Sequence, residues 1–142
     1  NVKTYIQSGN VLFTTREQPP DKIISDIEIL IEKTFGFQTD IILRKLSEIE
    51  SMVNSDVFSL SHSGEKKYYI TFLKNSYTGE LPVPVFSKNK DVEIIHHNQM
   101  DFYSISTAHK GVYGFPNSFI EKLTGIPATT RNPNTLEKLL KL

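Results

Sequence analysis

Seven consecutive residues, Thr129-Thr130-Arg131-Asn132-Pro133-Asn134-Thr135, hold no apolar side chain except a proline, and they lie between Ile126-Pro127 and the amphipathic tail Leu136 to Leu142. Asn132 is a good helix N-cap and Pro133 fits the first helical position, while Leu136, Leu139 and Leu140 then form one apolar stripe. The cluster therefore delivers polar side chains to a helix N-terminus, where free N–H groups and the helix dipole favour negative charge. The Arg131 fork suits a carboxylate or phosphate, and Asn134 and Thr135 can add hydrogen bonds. The same residues also work as plain punctuation, with Thr129 and Thr130 finishing a strand, Asn132-Pro133 starting a helix and Arg131 pairing with an internal acid.

A second polar group lies near the start of the chain. Tyr5 and Gln7 share one face of a strand, and with Ser8 and Asn10 they can present a polar patch to a ligand or another domain. Ser8-Gly9-Asn10 is equally a tight hairpin turn in which Gly9 or Asn10 supplies the positive φ. If this patch converges on Arg131, one site spans both ends of the chain.

Other chemistries find little footing. His96 and His97 are adjacent in a strand and point to opposite faces, and His62 and His109 stand at no ligand spacing from another histidine, so neither a metal nor a cofactor is implied. A catalytic role for His109, beside Lys110-Gly111, stays open, although loop histidines are commonly solvated. Ser8 lies in no nucleophile elbow, no glycine-rich phosphate loop is present, and Glu48 and Glu50 lack a partner acid. No spacing in the chain specifies a reaction, and an enzyme that uses the Arg131 cluster with Tyr5 or His109 as a second titratable group stands as the alternative to simple binding.

The chain has 142 residues, 38% hydrophobic and 23% charged, with sixteen Lys plus Arg against sixteen Asp plus Glu. That length allows roughly 70% of the unfolded surface to be buried, enough for one domain or two small ones. Zero net charge gives no global field toward nucleic acid. Lys66, Lys67, Tyr68, Tyr69 and Phe72 do interleave charge with rings, but alternation puts Tyr68, Ile70 and Phe72 on a core face and Lys67, Tyr69 and Thr71 outside, so single-strand binding on a sheet face ranks behind a small anionic or polar ligand unless the acids segregate. Cysteine is absent, excluding disulfides and thiolate chemistry, and the longest apolar runs fall far short of the roughly 20 residues that span a bilayer. The expected location is the cytoplasm. The chain opens without an initiator Met and runs almost at once into a strand, from which an upstream N-terminus is expected.

Residues 2–6 and 11–15 read as a β-hairpin, followed after Pro19-Pro20 by a helix, capped by Asp21, that carries Ile23, Ile24, Ile27, Leu30, Ile31 and Phe35 and stops at Gly36. A β-branched strand is expected over 38–43. Ser47-Glu48-Ile49-Glu50 reads as a capping box opening a short helix to about Asn54. Then come a polar loop through His62-Ser63-Gly64, a strand at 67–73, an extended Pro82-Val83-Pro84 connector, strands at 92–97 and 102–107, a loop with Gly111 and Gly114, a helix over 116–123 capped by Gly125, and the polar cluster with its helix. Hairpin connections dominate, which favours an α+β architecture with antiparallel sheets and a boundary near 44–46.

Thr4-Tyr5-Ile6-Gln7-Ser8-Gly9-Asn10-Val11, Phe35-Gly36-Phe37, Gly125 and Ala128-Thr129-Thr130-Arg131-Asn132 with Asn134-Thr135, taken in that order, resemble the DUF1697 family of uncharacterised, mostly bacterial proteins. The resemblance implies a ferredoxin-like unit followed by a second α+β unit. Members normally begin with a strand bearing an Arg-Gly-Ile-Asn-type motif and a helix, neither found here, so residues 1–45 would be the β-β-α-β remainder of the first unit and residues 46–142 the second unit, ending in a short helix. Pro133 stands where the family commonly has tryptophan. The resemblance brings no established activity and leaves the oligomeric state open.

Overall fold

A computed structural model describes residues 1–5, 9–59 and 64–142. Strands β1 (Val2–Tyr5) and β2 (Asn10–Phe13) form an antiparallel hairpin with Val2 opposite Phe13 and Tyr5 opposite Asn10. Because opposite residues share a face, Lys3, Tyr5, Asn10 and Leu12 point one way, and Tyr5 and Leu12 pack against the main core. Gln7, Ser8 and His62 lie outside the described residues.

Helix α1 (Pro20–Phe35) begins with Pro20 in its first turn and ends at Gly36, whose φ of 77° and N–H to the Glu32 carbonyl form a left-handed cap. Asp21 is not its cap: the N-cap position is Pro19, no side chain caps it, and Asp21 instead lies in the first turn, where the dipole favours a carboxylate. The expected apolar stripe is only partly covered. Ile23, Ile24, Ile27 and Ile31 are half-buried, whereas Leu30 and Phe35 are 63% and 68% exposed.

The strand expected over 38–43 does not form. A β-branched run becomes a strand only where a neighbour accepts its ladder bonds, and here the Ile41 N–H donates to Glu28 Oε1 of α1 at 3.0 Å. The opening elements are thus β-β-α followed by irregular chain. Helix α2 (Leu46–Val53) also starts earlier than Ser47 would set it. Glu48 accepts from the backbone N–H of Lys45 at 2.7 Å, making Lys45 the N-cap residue, and a lysine has no side-chain acceptor to return that bond.

The remaining strands are β3 (Lys67–Leu73), β4 (Val85–Phe86), β5 (Val92–His97), β6 (Asp101–Ser106), β7 (Ala108–His109), β8 (Val112–Tyr113) and β9 (Ala128–Arg131), with helices α3 (Pro116–Thr124) and α4 (Pro133–Leu140). Five form an antiparallel sheet in the order β4-β5-β6-β3-β9, and β7 and β8 form a small hairpin within the segment expected to be loop. The fold is α+β.

Helices cover both faces of the large sheet. Ile70, Phe72 and Tyr103 meet Leu136 and Leu139 of α4, with Ile49, Met52 and Val53 of α2 packed alongside; on the reverse, Leu73, Ile94 and Phe102 meet Ile120 of α3. Thr71, expected outside, is therefore buried, and its hydroxyl pairs with that of Thr130 at 2.8 Å while Thr130 donates to Asn117 Oδ1 of α3. Tyr69, on the same side, meets the ring of Phe115 edge-on at 5.3 Å. The aromatic alternation of β3 marks one core face correctly, but α3 supplies a second core on the other.

Candidate functional site

Arg131 ends edge strand β9, where it lies opposite Ile70 and so faces the same side of the sheet as α4 and the β1–β2 hairpin. Its Nε donates to Asn10 Oδ1 at 2.7 Å, and its Nη1 donates to Thr129 Oγ1 at 2.7 Å and to the Thr130 carbonyl at 2.8 Å. Asn10 in turn donates from Nδ2 to the Tyr5 carbonyl at 3.0 Å. Two groups 121 positions apart in sequence thus meet at one half-buried guanidinium.

These partners are neutral. They fix the plane of the fork, and burial lowers the Arg131 pKa from its ordinary value, so removing water penalises the cation. The other candidates divide. Asn132 is the N-cap of α4, its Oδ1 accepting the Thr135 N–H at 2.8 Å, and Pro133 fills the first turn. Asn134 is exposed and Thr135 half-exposed on that first turn. Tyr5 is half-buried, with its ring against the core and its carbonyl on Asn10. His109 is exposed on the β7–β8 hairpin. Among the described residues no group of three His, Cys, Asp or Glu side chains could hold a metal ion, and no helix is long and apolar enough to cross a membrane.

A second polar centre has no counterpart in the sequence reading. Arg44 and Asp101, with side chains 11% and 7% exposed, form an ion pair at 3.2 Å, and Arg44 also donates to the carbonyls of Leu43, Leu73 and Met100. Its guanidinium carbon lies 5.6 Å from the centre of the Phe72 ring. Burial pushes the Asp101 carboxyl up, against the pull of Arg44 and of the Asn98 amide. The pair borders a cavity of about 520 Å³ lined in part by Lys45, Glu48 and Asn98. A sequence signal did exist: Arg44 closes the apolar run Ile41-Ile42-Leu43, and Asp101 opens Phe102-Tyr103, so each charge abuts a segment bound for the core.

No curated protein and no solved structure matches the chain at a significant level. A family profile matches residues 1–103, a span that takes in the β1–β2 hairpin, α1, α2 and most of the sheet but ends before the Ala128 to Thr135 segment. On that match, which covers well over half of its length, the chain belongs to the DUF1697 family, described as proteins of unknown function.

Proposed function

We propose that the protein binds a small anionic or polar ligand at Arg131, with Asn10 and Thr129 orienting the guanidinium and Tyr5 and the first turn of α4 flanking it. The observation that carries this reading is the 2.7 Å bond from Arg131 Nε to Asn10 Oδ1, which joins the two polar groups nominated by sequence around one cation. A guanidinium penalised by partial dehydration gains electrostatically from an incoming carboxylate or phosphate. Asn132 acts one step removed, by holding the start of α4 beside the arginine.

A thermal-shift screen against phosphate, sulfate, di- and tricarboxylates and nucleotides tests the reading. A ligand that raises the melting temperature of the native chain is expected to lose that effect in Arg131→Ala and most of it in Asn10→Ala, with the ligand-free melting temperature of Arg131→Ala changed by only a few degrees. A large fall in ligand-free stability would instead make Arg131 a clasp between hairpin and sheet.

A further inference from the structure

Zero net charge conceals an uneven distribution. Residues 1–59 carry nine acids and six bases, whereas residues 64–142 carry seven acids and ten bases. Five of those ten, Lys66, Lys67, Lys88, Lys90 and Lys110, fall at one end of the large sheet, where β3 and β5 begin and β6 passes into the β7–β8 hairpin. Direct contacts tie these segments together. The Thr107 N–H donates to the Asp91 carbonyl at 3.0 Å and its hydroxyl to the Lys90 carbonyl at 3.5 Å. The Lys67 ammonium lies 4.2 Å from the centre of the Tyr113 ring, whose hydroxyl donates to Glu65 at 3.2 Å. Three acids stand against the five lysines here: exposed Glu65 accepts from Tyr113, half-buried Asp91 accepts from the Ser87 hydroxyl at 2.6 Å, and Glu93 is half-buried on β5, so the lysines remain in excess.

The backbone adds an independent sign. Among the described residues, the non-glycine positions with positive φ are Lys90 at 56° and Lys110 at 51°. Lys110-Gly111 forms the two-residue turn of the β7–β8 hairpin, a place where Asn-Gly is the favoured pair. Lys90 ends the turn that its own N–H closes onto the Ser87 carbonyl at 2.9 Å. Local folding favours Asn or Gly at both positions, and both hold lysine. Strain retained at two turns on one end of a sheet, each time to present the same charge, is the pattern expected of a binding surface. Rings stand among the cations: Phe115 is 57% exposed and lies edge-on to Tyr69, and Tyr113 lies under Lys67.

We propose that this end of the sheet binds single-stranded nucleic acid, with the lysines neutralising phosphates and Phe115 offering its ring to an unpaired base. Released counterions drive such binding, and base stacking on an aromatic tolerates any sequence. An unpaired base presents a ring face that a duplex withholds, and the exposed apolar side chains at this end, Phe86, Val112 and Phe115, are three among five lysines and offer a bilayer little area to bury. The surface is separate from Arg131 and does not depend on the anion site proposed there.

Fluorescence anisotropy of the full chain with labelled 20-nucleotide single strands, over a range of salt, tests the proposal. Binding is expected to weaken with salt along a linear log–log plot. The double variant Lys90→Asn with Lys110→Asn should bind roughly tenfold more weakly and lower the slope by about 1.4, two phosphate contacts' worth. The same variant should melt at the native temperature or roughly 2–4 °C higher, because asparagine relieves the left-handed strain. Phe115→Ala should weaken binding about tenfold at every salt concentration with an unchanged slope. No saturable binding at 50 mM salt would overturn the proposal, as would equal affinity for duplex, binding confined to phosphatidylserine vesicles, or affinity untouched by the lysine changes.

Discussion

Arg44 and Arg131 show how differently two arginines of one chain are held. Arg131 donates to an amide, a hydroxyl and a carbonyl, whereas Arg44 meets a carboxylate and three carbonyls deep beside β3 and β6. Removing one member of a buried pair leaves the other charge dehydrated and alone. Arg44→Ala is therefore expected to cost about 3–5 kcal/mol of stability by denaturant unfolding, with Asp101→Ala comparable. Arg131→Ala is expected to cost much less, as the thermal-shift comparison would reveal. The meeting of Asn10 with Arg131 was legible in the sequence as a condition, because each residue stood in a recognisable polar group. The burial of Arg44 had a signal in the apolar run it closes, but its pairing had none, because its partners are scattered from Leu43 to Asp101 and include backbone carbonyls that no spacing encodes.

The elements that declared themselves carry their own start and stop signals. Asn132-Pro133 opens α4, Gly36 and Gly125 end α1 and α3 in left-handed conformations, and the periodicity between them is helical. Asn132→Ala should cost about 1 kcal/mol of global stability, measured by urea unfolding, through the lost bond to the Thr135 N–H. The elements that were misread depend on partners outside themselves. Residues 38–43 have the composition of a strand but no ladder, since a helix carboxylate takes the Ile41 N–H. Alternation along β3 separated two faces correctly and could not reveal that α3, which begins more than forty residues later, covers the second. The β7–β8 hairpin escaped because its turn holds Lys-Gly in place of a recognised Asn-Gly.

Across the whole molecule, Lys74 links the N-terminal elements to the sheet. At the end of β3 it pairs with Glu28 of α1 at 2.7 Å and with Asp40 of the irregular segment. The backbone bond from Ile41 and the bond from Lys74 hold the Glu28 carboxyl below its ordinary value near 4.5, and the two carboxylates raise Lys74 above 10.5. A lowered carboxyl contributes stability that is present above pH 4.5 and is lost as pH falls through the folded value; the raised lysine contributes stability below pH 10.5 that is lost as pH climbs through its folded value. Lys74→Met should therefore flatten both limbs of the stability profile, with a loss at neutral pH held under about 1 kcal/mol by the partial exposure of the groups. Melting curves from pH 3 to pH 11 provide the measurement.

The five-stranded sheet also has two margins, and neither offers a long template to a foreign strand. Its β4 margin is two residues long and follows Pro82 and Pro84, which have no N–H to donate; its β9 margin is four residues long and turns straight into α4 through Asn132-Pro133. Short, proline-bounded margins discourage the edge-to-edge addition by which sheet proteins aggregate. The segment Lys67–Leu73, rich in rings and branched residues and the most amyloid-like stretch of the sheet, lies along β6 on one side, and its Ile70–Leu73 half is covered by β9 on the other, where a second chain cannot reach its hydrogen bonds while the fold is intact.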